Sequence, residues 1–197
     1  LKQWCSAAVI GFMLLAVGNG GVILAEKSIP TGMASLLGAV TPMLIALMES
    51  FPRFDLDKRK LAGLAIGTLG IACLVGPAEV FASGNSTMQG VLLLLMACVS
   101  WSAGSIYSRS AERPQSTLLF VAMQMICGGL ALGAVSLGSG EHLKFNPLLV
   151  SGQSVLALLY LIVFGSLLAY GAYVWLLQHV NATRVSTYAY VNPIVAV

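Results

Sequence analysis

Long apolar blocks run through most of this sequence, and they restrict what the chain can fold into. Blocks of this length can cross a membrane core of about 30 Å as helices that rise about 1.5 Å per residue. We predict six full spans, at 4–24, 29–48, 61–76, 90–107, 118–137 and 155–177. We expect a seventh to begin near Arg184 and to be cut off at Val197. The predicted fold class is therefore all-α, a polytopic bundle of membrane helices.

The charged residues support this class and predict an orientation. Only 9% of the residues are charged, whereas soluble domains contain roughly 25%. If Lys2 is cytoplasmic and each span crosses once, only Lys27 and Lys144 of the ten basic residues lie outside. The others are Lys2, Arg53, Lys58, Arg59, Lys60, Arg109, Arg113 and Arg184. Because cytoplasmic loops are enriched in Lys and Arg, we predict a multi-pass membrane protein with Lys2 and the 53–60 loop in the cytoplasm. The basic charge then requires no nucleic-acid partner.

A weak internal repeat relates two parts of the chain. A shift of 151 positions places residues 18–42 on residues 169–193, so that hydrophobic block, connecting loop and prolines coincide. The identical pairs are Gly20 with Gly171, Ser35 with Ser186, and Pro42 with Pro193. The matched spans are five crossings apart, and an odd number of crossings reverses the orientation. We therefore predict an inverted repeat, as in many transporters.

The prolines of the repeat mark a candidate site. Pro30 and its counterpart Asn181 begin helices on opposite membrane faces. Pro42 and Pro193 lie twelve residues further, roughly 18 Å into the membrane. Because proline breaks or kinks a helix, breaks at these matching depths predict a central substrate site with alternating access. The alternative is that both prolines only bend helices for packing.

Three stretches carry a resemblance to a known family: "LLAVGNGGVILAEKSIPTGMASLLGAVTP", "SWSAGSIYSR" and "STYAYVNPIVAV". In this order they resemble the EamA family of the drug/metabolite transporter (DMT) superfamily, and within it the YedA-like inner-membrane transporters. The resemblance implies ten helices in two inverted five-helix repeats. This chain would then be a fragment, with the C-terminal part of the first repeat at 1–80 (helices three to five) and the truncated N-terminal part of the second at 84–197 (helices six to nine). It also implies a location in the bacterial inner (plasma) membrane and transport of small metabolites or amino-acid-like compounds, usually outward.

Neutral polar and aromatic side chains are the candidates for the substrate pathway. Ionisable side chains fall in loops or at span ends, and Glu49 comes nearest to an exception. Tyrosine, tryptophan and asparagine can stack on and hydrogen-bond a small amphipathic solute. The predicted pathway residues are Asn19, Pro42, Trp101, Tyr107, Tyr170, Tyr173, Tyr190, Asn192 and Pro193. The alternative for the aromatic residues is an interfacial belt, which Tyr107 fits better than Tyr170 or Tyr190.

Helical spacing divides the polar residues of the seventh span between two faces. Ser186, Tyr190 and Pro193 follow the spacing of one helix face. Tyr188 and Asn192 form a second pair. The predicted centre of the pathway lies near Trp101, Tyr170, Tyr190 and Asn192.

The resemblance implies export of small metabolites or amino-acid-like compounds, and the matching proline breaks predict alternating access. The partners are the lipid bilayer and a small-molecule solute, and neither a cofactor nor a metal ion is predicted. Coupling to protons or a counter-solute, and assembly as a homodimer, stay open. A channel is one alternative. An intramembrane serine protease is another, but His142 lies in a loop and His179 at a helix end, so neither would activate a serine inside the membrane.

Overall fold

The computed structural model describes residues 1–50, 62–63, 65–66, 70, 85–147 and 150–192. Within these ranges the chain is helical and contains no strand. Five helices in the described residues are long and apolar enough to cross a membrane. They are α1 (Lys2–Ala25), α2 (Thr31–Ser50), α3 (Asn85–Ser110), α4 (Thr117–Ser139) and α5 (Gly152–His179). A short α6 follows, α-helical at Ala182–Val185 and 3₁₀ at Ser186–Tyr190.

These helices confirm the predicted all-α membrane fold. The five long ones coincide with the predicted spans 4–24, 29–48, 90–107, 118–137 and 155–177. α6 begins where the seventh span is expected, close to Arg184. The predicted span 61–76 falls mostly outside the described residues.

Local sequence signals set several helix ends. The Ser116 hydroxyl accepts a hydrogen bond from the Leu119 amide at 3.3 Å. The Ser151 hydroxyl accepts one from the Ser154 amide at 3.1 Å. Both serines are N-caps, and they satisfy amides that the start of a helix leaves unpaired. Gly140 ends α4 with a φ of 69°, a conformation that glycine adopts without steric cost.

α1 lies at the centre of the described bundle. Ile10 and Leu14 have no exposed surface and form a buried cluster with Phe120 of α4. Gly104 of α3 permits this approach, because a Cβ at that position would clash with the Leu14 side chain. Small residues commonly let membrane helices pack closely. α1 therefore contacts both α3 and α4 directly.

Polar contacts show which helix ends lie together. Lys2 forms an ion pair with Glu112 at 3.3 Å, which joins the start of α1 to the connection between α3 and α4. The Thr117 hydroxyl donates to the Gln178 side-chain oxygen at 3.2 Å, which joins the start of α4 to the end of α5. All of these helix ends therefore share one side of the bundle, which we call the Lys2 end.

The opposite side is the Lys27 end. There Lys27 pairs with Glu141 at 3.1 Å, which joins the ends of α1 and α4. Of the basic residues that the structure describes, only Lys27 and Lys144 lie at this end. The Lys2 end holds Lys2, Arg109, Arg113 and Arg184. This grouping of the described basic residues agrees with the sequence prediction, whereas the cytoplasmic placement of the Lys2 end stays a prediction.

α1 and α5 share an unusual backbone pattern. Each contains a π-helical segment, Gly11–Asn19 in α1 and Leu161–Tyr170 in α5. In both, the α-helix then resumes at a glycine, Gly20 or Gly171. The shift of 151 positions carries one segment onto the other to within a residue. α1 begins at the Lys2 end and α5 ends there, so the matching segments run in opposite directions. The full five-helix repeats and their boundaries stay a prediction.

α2 is broken near its middle, as the sequence predicts. Its two pieces, Thr31–Gly38 and Thr41–Ser50, flank a turn at 39–40. Pro42 explains the break, because it has no N–H to donate to the carbonyl of Gly38 four residues earlier. The matching part of the second segment is 3₁₀ and then turns at Val191. Pro193 lies outside the described residues, so its effect on that helix stays a prediction.

Candidate functional site

A cavity of about 500 Å³ lies between α1, α2, α3 and the segment 188–192. Sites for small molecules commonly enclose about 300–1,000 Å³. The polar lining residues are Asn19, Glu26, Thr31, Ser35, Thr41, Cys98, Trp101, Tyr188 and Asn192. The remaining lining residues are Gly18, Val22, Ala34, Gly38, Leu94, Ala97 and Ala189. This mixture of apolar surface with a few hydrogen-bonding groups suits a small amphipathic solute.

Helical spacing brings these side chains to the cavity. Residues three or four positions apart lie on one face of a helix. The α3 lining follows this rule at Leu94, Ala97, Cys98 and Trp101. The α2 lining does the same at Thr31, Ala34, Ser35 and Gly38. Each helix therefore presents one continuous stripe to the cavity.

The cavity reaches from the Lys27 end toward the middle of the bundle. Glu26 and Thr31 lie on either side of the connection between α1 and α2 at that end. Thr41 and Trp101 lie deeper, Thr41 directly after the break in α2. Glu26 is the one charged side chain among the lining residues that the structure describes. The deep part of this lining is therefore neutral.

Trp101 lines the deep part of the cavity and is held by buried hydroxyl groups. Its indole N–H donates to the Tyr173 hydroxyl at 3.0 Å. That hydroxyl also lies 2.7 Å from the Ser105 hydroxyl, and both Tyr173 and Ser105 are buried. The ring centroids of Trp101 and Tyr173 are 5.4 Å apart. Because a buried indole N–H needs an acceptor, these neighbours fix the orientation of the ring.

Further aromatic contacts extend this wall. Tyr173 meets Tyr188 edge to face, with ring centroids 5.6 Å apart. Tyr170 meets Trp101 in the same way at 6.4 Å. The Tyr170 hydroxyl donates to the Gln124 side-chain oxygen at 2.6 Å. Gln124 is fully buried, so it links α4 to α5 and does not face the cavity.

Five of the sequence-predicted pathway residues lie in or against the cavity wall. Asn19, Trp101 and Asn192 line the cavity. Tyr170 and Tyr173 are buried behind Trp101 and support it. The structure therefore brings residues from α1, α3, α5 and the segment after α6 together.

The other predicted residues lie elsewhere. Pro42 is buried beside the lining residue Thr41. Tyr107 and Tyr190 are exposed, at 39% and 38%, and are not part of the described lining. Pro193 lies outside the described residues.

Several lining residues were not among those predicted. Tyr188 is the largest of them, and Ser35 and Thr41 add hydroxyl groups. A signal for Tyr188 was present, because its four-residue spacing from Asn192 defines one helix face. Ser35 was also marked as one of the identical positions of the repeat. Among the residues that the structure describes, no group of three or more His, Cys, Asp or Glu side chains could bind a metal ion.

A polar cluster joins α2, α3 and α6 at the Lys2 end, on the far side from the cavity mouth. Glu49 of α2 forms an ion pair through Oε1 with Nη1 of Arg109 in α3. Its Oε2 accepts from the backbone N–H of Thr183 at 3.2 Å and from the Thr183 hydroxyl. Arg109 Nη2 also donates to Asn181 Oδ1 at 3.4 Å. The carboxylate of Glu49 is therefore shared between α3 and the start of α6.

The fold and the cavity together define a polytopic helical membrane protein with a solute-sized cavity beside two matching, oppositely directed segments. The EamA-like transporter family matches this chain over residues 88–197, more than half of its length. The chain belongs to this family, and the resemblance seen in its sequence motifs is confirmed.

The chain is also similar to individual named proteins. It is 37% identical over 200 residues to the uncharacterized inner membrane transporter YedA of Escherichia coli strain K12, covering all of this chain and 62% of the relative. It is 27% identical over 174 residues to a "probable amino-acid metabolite efflux pump" of Salmonella typhimurium, covering 84% of this chain and 57% of the relative. It is 25% identical over 193 residues to an uncharacterized transporter of Archaeoglobus fulgidus, covering 98% of this chain and 65% of the relative. The chain thus spans less than two thirds of each relative. No solved structure matches it significantly.

Proposed function

We propose that this chain is part of a carrier that exports small metabolites or amino-acid-like solutes across the bacterial inner membrane by alternating access. The position of the cavity is the observation that carries the proposal. It lies between the broken helix α2 and the segment 188–192, which the predicted repeat matches to residues 37–41 of α2. Transporters with inverted repeats bind their substrates at such an interface, near the middle of the membrane. Membership of a transporter family supports transport over catalysis.

Equivalent positions of the two segments contribute to the cavity. Thr41 and Asn192 directly precede the two prolines and are related by the shift of 151 positions. Both line the cavity. Gly38 and Ala189 are related by the same shift and line it as well. A site built from equivalent positions of two inverted segments can be approached from either face of the membrane, which is what alternating access requires.

The orientation of the proposed carrier follows from its charges. The positive-inside rule places the Lys2 end in the cytoplasm. The cavity, which reaches the Lys27 end, then opens to the periplasm. The described conformation is therefore the outward-open state in this proposal.

The lining favours a particular kind of solute. Trp101 and Tyr188 offer aromatic surface for an apolar group. Thr41 and Asn192 offer hydrogen-bonding groups at the same depth. Glu26 adds a carboxylate near the mouth, and the described lining contains no cation. A solute with a protonated amino group and a small apolar part fits this set. The name of the Salmonella typhimurium relative points to the same class.

Two measurements test the transport proposal. Cells with and without the protein are compared by mass spectrometry of the cell contents and the medium, which identifies solutes that the protein releases. The most enriched solute is then followed in proteoliposomes. A carrier gives a flux that saturates and that rises when the same solute is present on the far side. An unsaturable flux without this stimulation would indicate a channel and contradict the proposal.

Two tyrosines of one segment give a matched test of the site. Tyr188 and Tyr190 are exposed to nearly the same extent, at 40% and 38%, but Tyr188 lines the cavity and Tyr190 does not. We expect Tyr188→Ala to lower flux about tenfold or more. This corresponds to a loss of about 1.4 kcal/mol or more of interaction free energy between the site and the solute during transport. Tyr190→Ala should keep most of the flux at an equal amount of inserted protein. A loss confined to Tyr190→Ala would place the pathway on the other face of this segment.

A further inference from the structure

The three elements that meet in the polar cluster at the Lys2 end are also elements that line the cavity. Glu49 belongs to α2, Arg109 to α3 and Thr183 to α6. Nearer the Lys27 end, the cavity lies between these elements. α2 and α3 still pack together there through Ala34, Leu94 and Cys98, so what distinguishes the Lys2 end is the polar contact that joins α6 to both of them.

The distance between the cavity lining and the polar cluster is the same in both long helices. The described lining ends at Thr41 in α2 and at Trp101 in α3. Glu49 and Arg109 each lie eight residues further along, which is about 12 Å in a helix. The intervening layer is closed, since Ile45 and Ser186 have no exposed surface. A solute in the cavity would have to pass this layer and then the cluster to reach the Lys2 end.

The cluster is arranged so that its contacts break together. The Glu49 carboxylate accepts from the Arg109 guanidinium and from two donors of Thr183. An ion pair that is partly exposed contributes little alone, and here the side chains are 25% and 35% exposed. Hydrogen bonds to an ionised group are stronger than neutral ones, and three of them converge on one carboxylate. Moving α6 away from α2 would remove both Thr183 contacts and the hydrogen bond from Arg109 to Asn181, and would leave the pair of Glu49 and Arg109 without these supports.

We infer that Glu49, Arg109 and Thr183 form the gate that closes the Lys2 end while the cavity is open at the Lys27 end. The inference rests on the proposed function, because it assigns these residues to one step of an alternating-access cycle. Glu49 acts as the positioning residue that holds α3 and α6 against α2. The state that opens the Lys2 end is then the state in which its contacts are broken.

Cysteine labelling tests the gate without a solute. The native cysteines of the protein are replaced by serine, and Ser186→Cys is introduced as a reporter in the closed layer. A membrane-impermeant maleimide is applied to the Lys2 side of sealed vesicles. We expect Glu49→Gln, which keeps the shape of the side chain and removes its charge, to raise the labelling rate on the order of tenfold. An unchanged rate would overturn the inference.

A second reporter separates gating from simple loosening. Thr31 is an exposed lining residue at the cavity mouth, so Thr31→Cys reports access from the Lys27 side. If the two ends open alternately, Glu49→Gln should slow labelling at this position while it speeds labelling at Ser186→Cys. A rise at Ser186→Cys with no fall at Thr31→Cys would mean local unfolding and would also overturn the gate.

Matched variants at the same end complete the test. Glu112→Gln removes an ion pair with Lys2 whose side chains are 57% and 82% exposed, and it should leave both labelling rates unchanged. Arg109→Gln should act like Glu49→Gln, and the double variant should add little, since both remove one interaction. If Glu112→Gln changed both labelling rates as much as Glu49→Gln does, the effect would come from the loss of any charge at this end, and the gate would be contradicted.

If reciprocal labelling holds but no solute flux is found, the gate stands and the transport proposal fails. If flux is found and labelling does not change, the gate alone fails.

Discussion

The two ends of the bundle are built from the same helices but joined in different ways. At the Lys27 end, the ion pair between Lys27 and Glu141 joins α1 to α4, and α2 meets α3 through apolar side chains beside the open cavity. At the Lys2 end, a carboxylate of α2 accepts from both α3 and α6. The apolar lengths of these helices do not distinguish the ends. A few polar contacts that converge on one residue therefore determine which end is closed.

The position of each ion pair matters more than its presence. Both Lys2 with Glu112 and Lys27 with Glu141 involve side chains that are more than half exposed. Neither pair involves α2 or α6. Glu49 does join these elements, because its carboxylate in α2 accepts from Arg109 of α3 and from Thr183 of α6. The predictions below test this contrast.

The largest effect is expected at the deep wall of the cavity. Trp101→Ala should lower flux at least tenfold and destabilise the protein by about 3 kcal/mol, because a large ring that packs on Tyr170 and Tyr173 is lost. Flux per inserted protein in proteoliposomes and thermal unfolding in detergent measure the two effects.

Trp175→Ala is the matched control for this substitution. The Trp175 ring is 48% exposed and stacks on His179 at 4.2 Å, away from the described lining. It should reduce flux less than twofold. An equal loss of flux in both variants would show that the effect does not depend on lining the cavity, and it would contradict the role proposed for Trp101.

An intermediate effect is expected when only the support of Trp101 is removed. Tyr173→Phe keeps the ring contacts but leaves the indole N–H and the Ser105 hydroxyl without this partner. The cost should be about 1–2 kcal/mol of unfolding free energy. Because the indole is less well oriented, KM for the transported solute should rise severalfold while the maximal rate changes less. Tyr107→Phe, at an exposed position, should change neither quantity. A fall in the maximal rate with KM unchanged would argue against a positioning role.

The smallest effects are expected at the exposed ion pairs. Glu141→Gln at the Lys27 end and Glu112→Gln at the Lys2 end should each change the unfolding free energy by less than about 0.5 kcal/mol. Chemical or thermal unfolding in detergent gives this quantity directly. A cost well above this value at Glu141 would mean that the Lys27 end is held together more firmly than its exposed contacts imply.

Much of the fold could be predicted because membrane helices follow simple length and polarity rules. The prediction of a span at 118–137 is close to the observed Thr117–Ser139, since Ser116 caps its start and Gly140 ends it. The break in α2 follows directly from Pro42. The opposite directions of α1 and α5 follow from counting crossings between repeated segments.

The site was harder to predict, for two physical reasons. α-Helical spacing predicts two candidate faces in the seventh span, one with Tyr190 and one with Tyr188 and Asn192, and spacing alone does not say which of them faces the pathway. In the structure Tyr188 and Asn192 line the cavity, whereas Tyr190 is not part of the described lining. The second reason is distance along the chain. Glu49 lies 60 positions from Arg109 and 134 from Thr183, so only the packed helices bring them together.

The π-helical segments of α1 and α5 also bear on how the chain arose. Such segments are rare, and most occur as single-turn bulges inside α-helices. Here two of them lie at matching positions of segments that run in opposite directions. Two independent insertions at the same point would be a coincidence, whereas a duplication copies the feature once. A duplication of the predicted repeat therefore requires that the ancestral unit already carried this distortion.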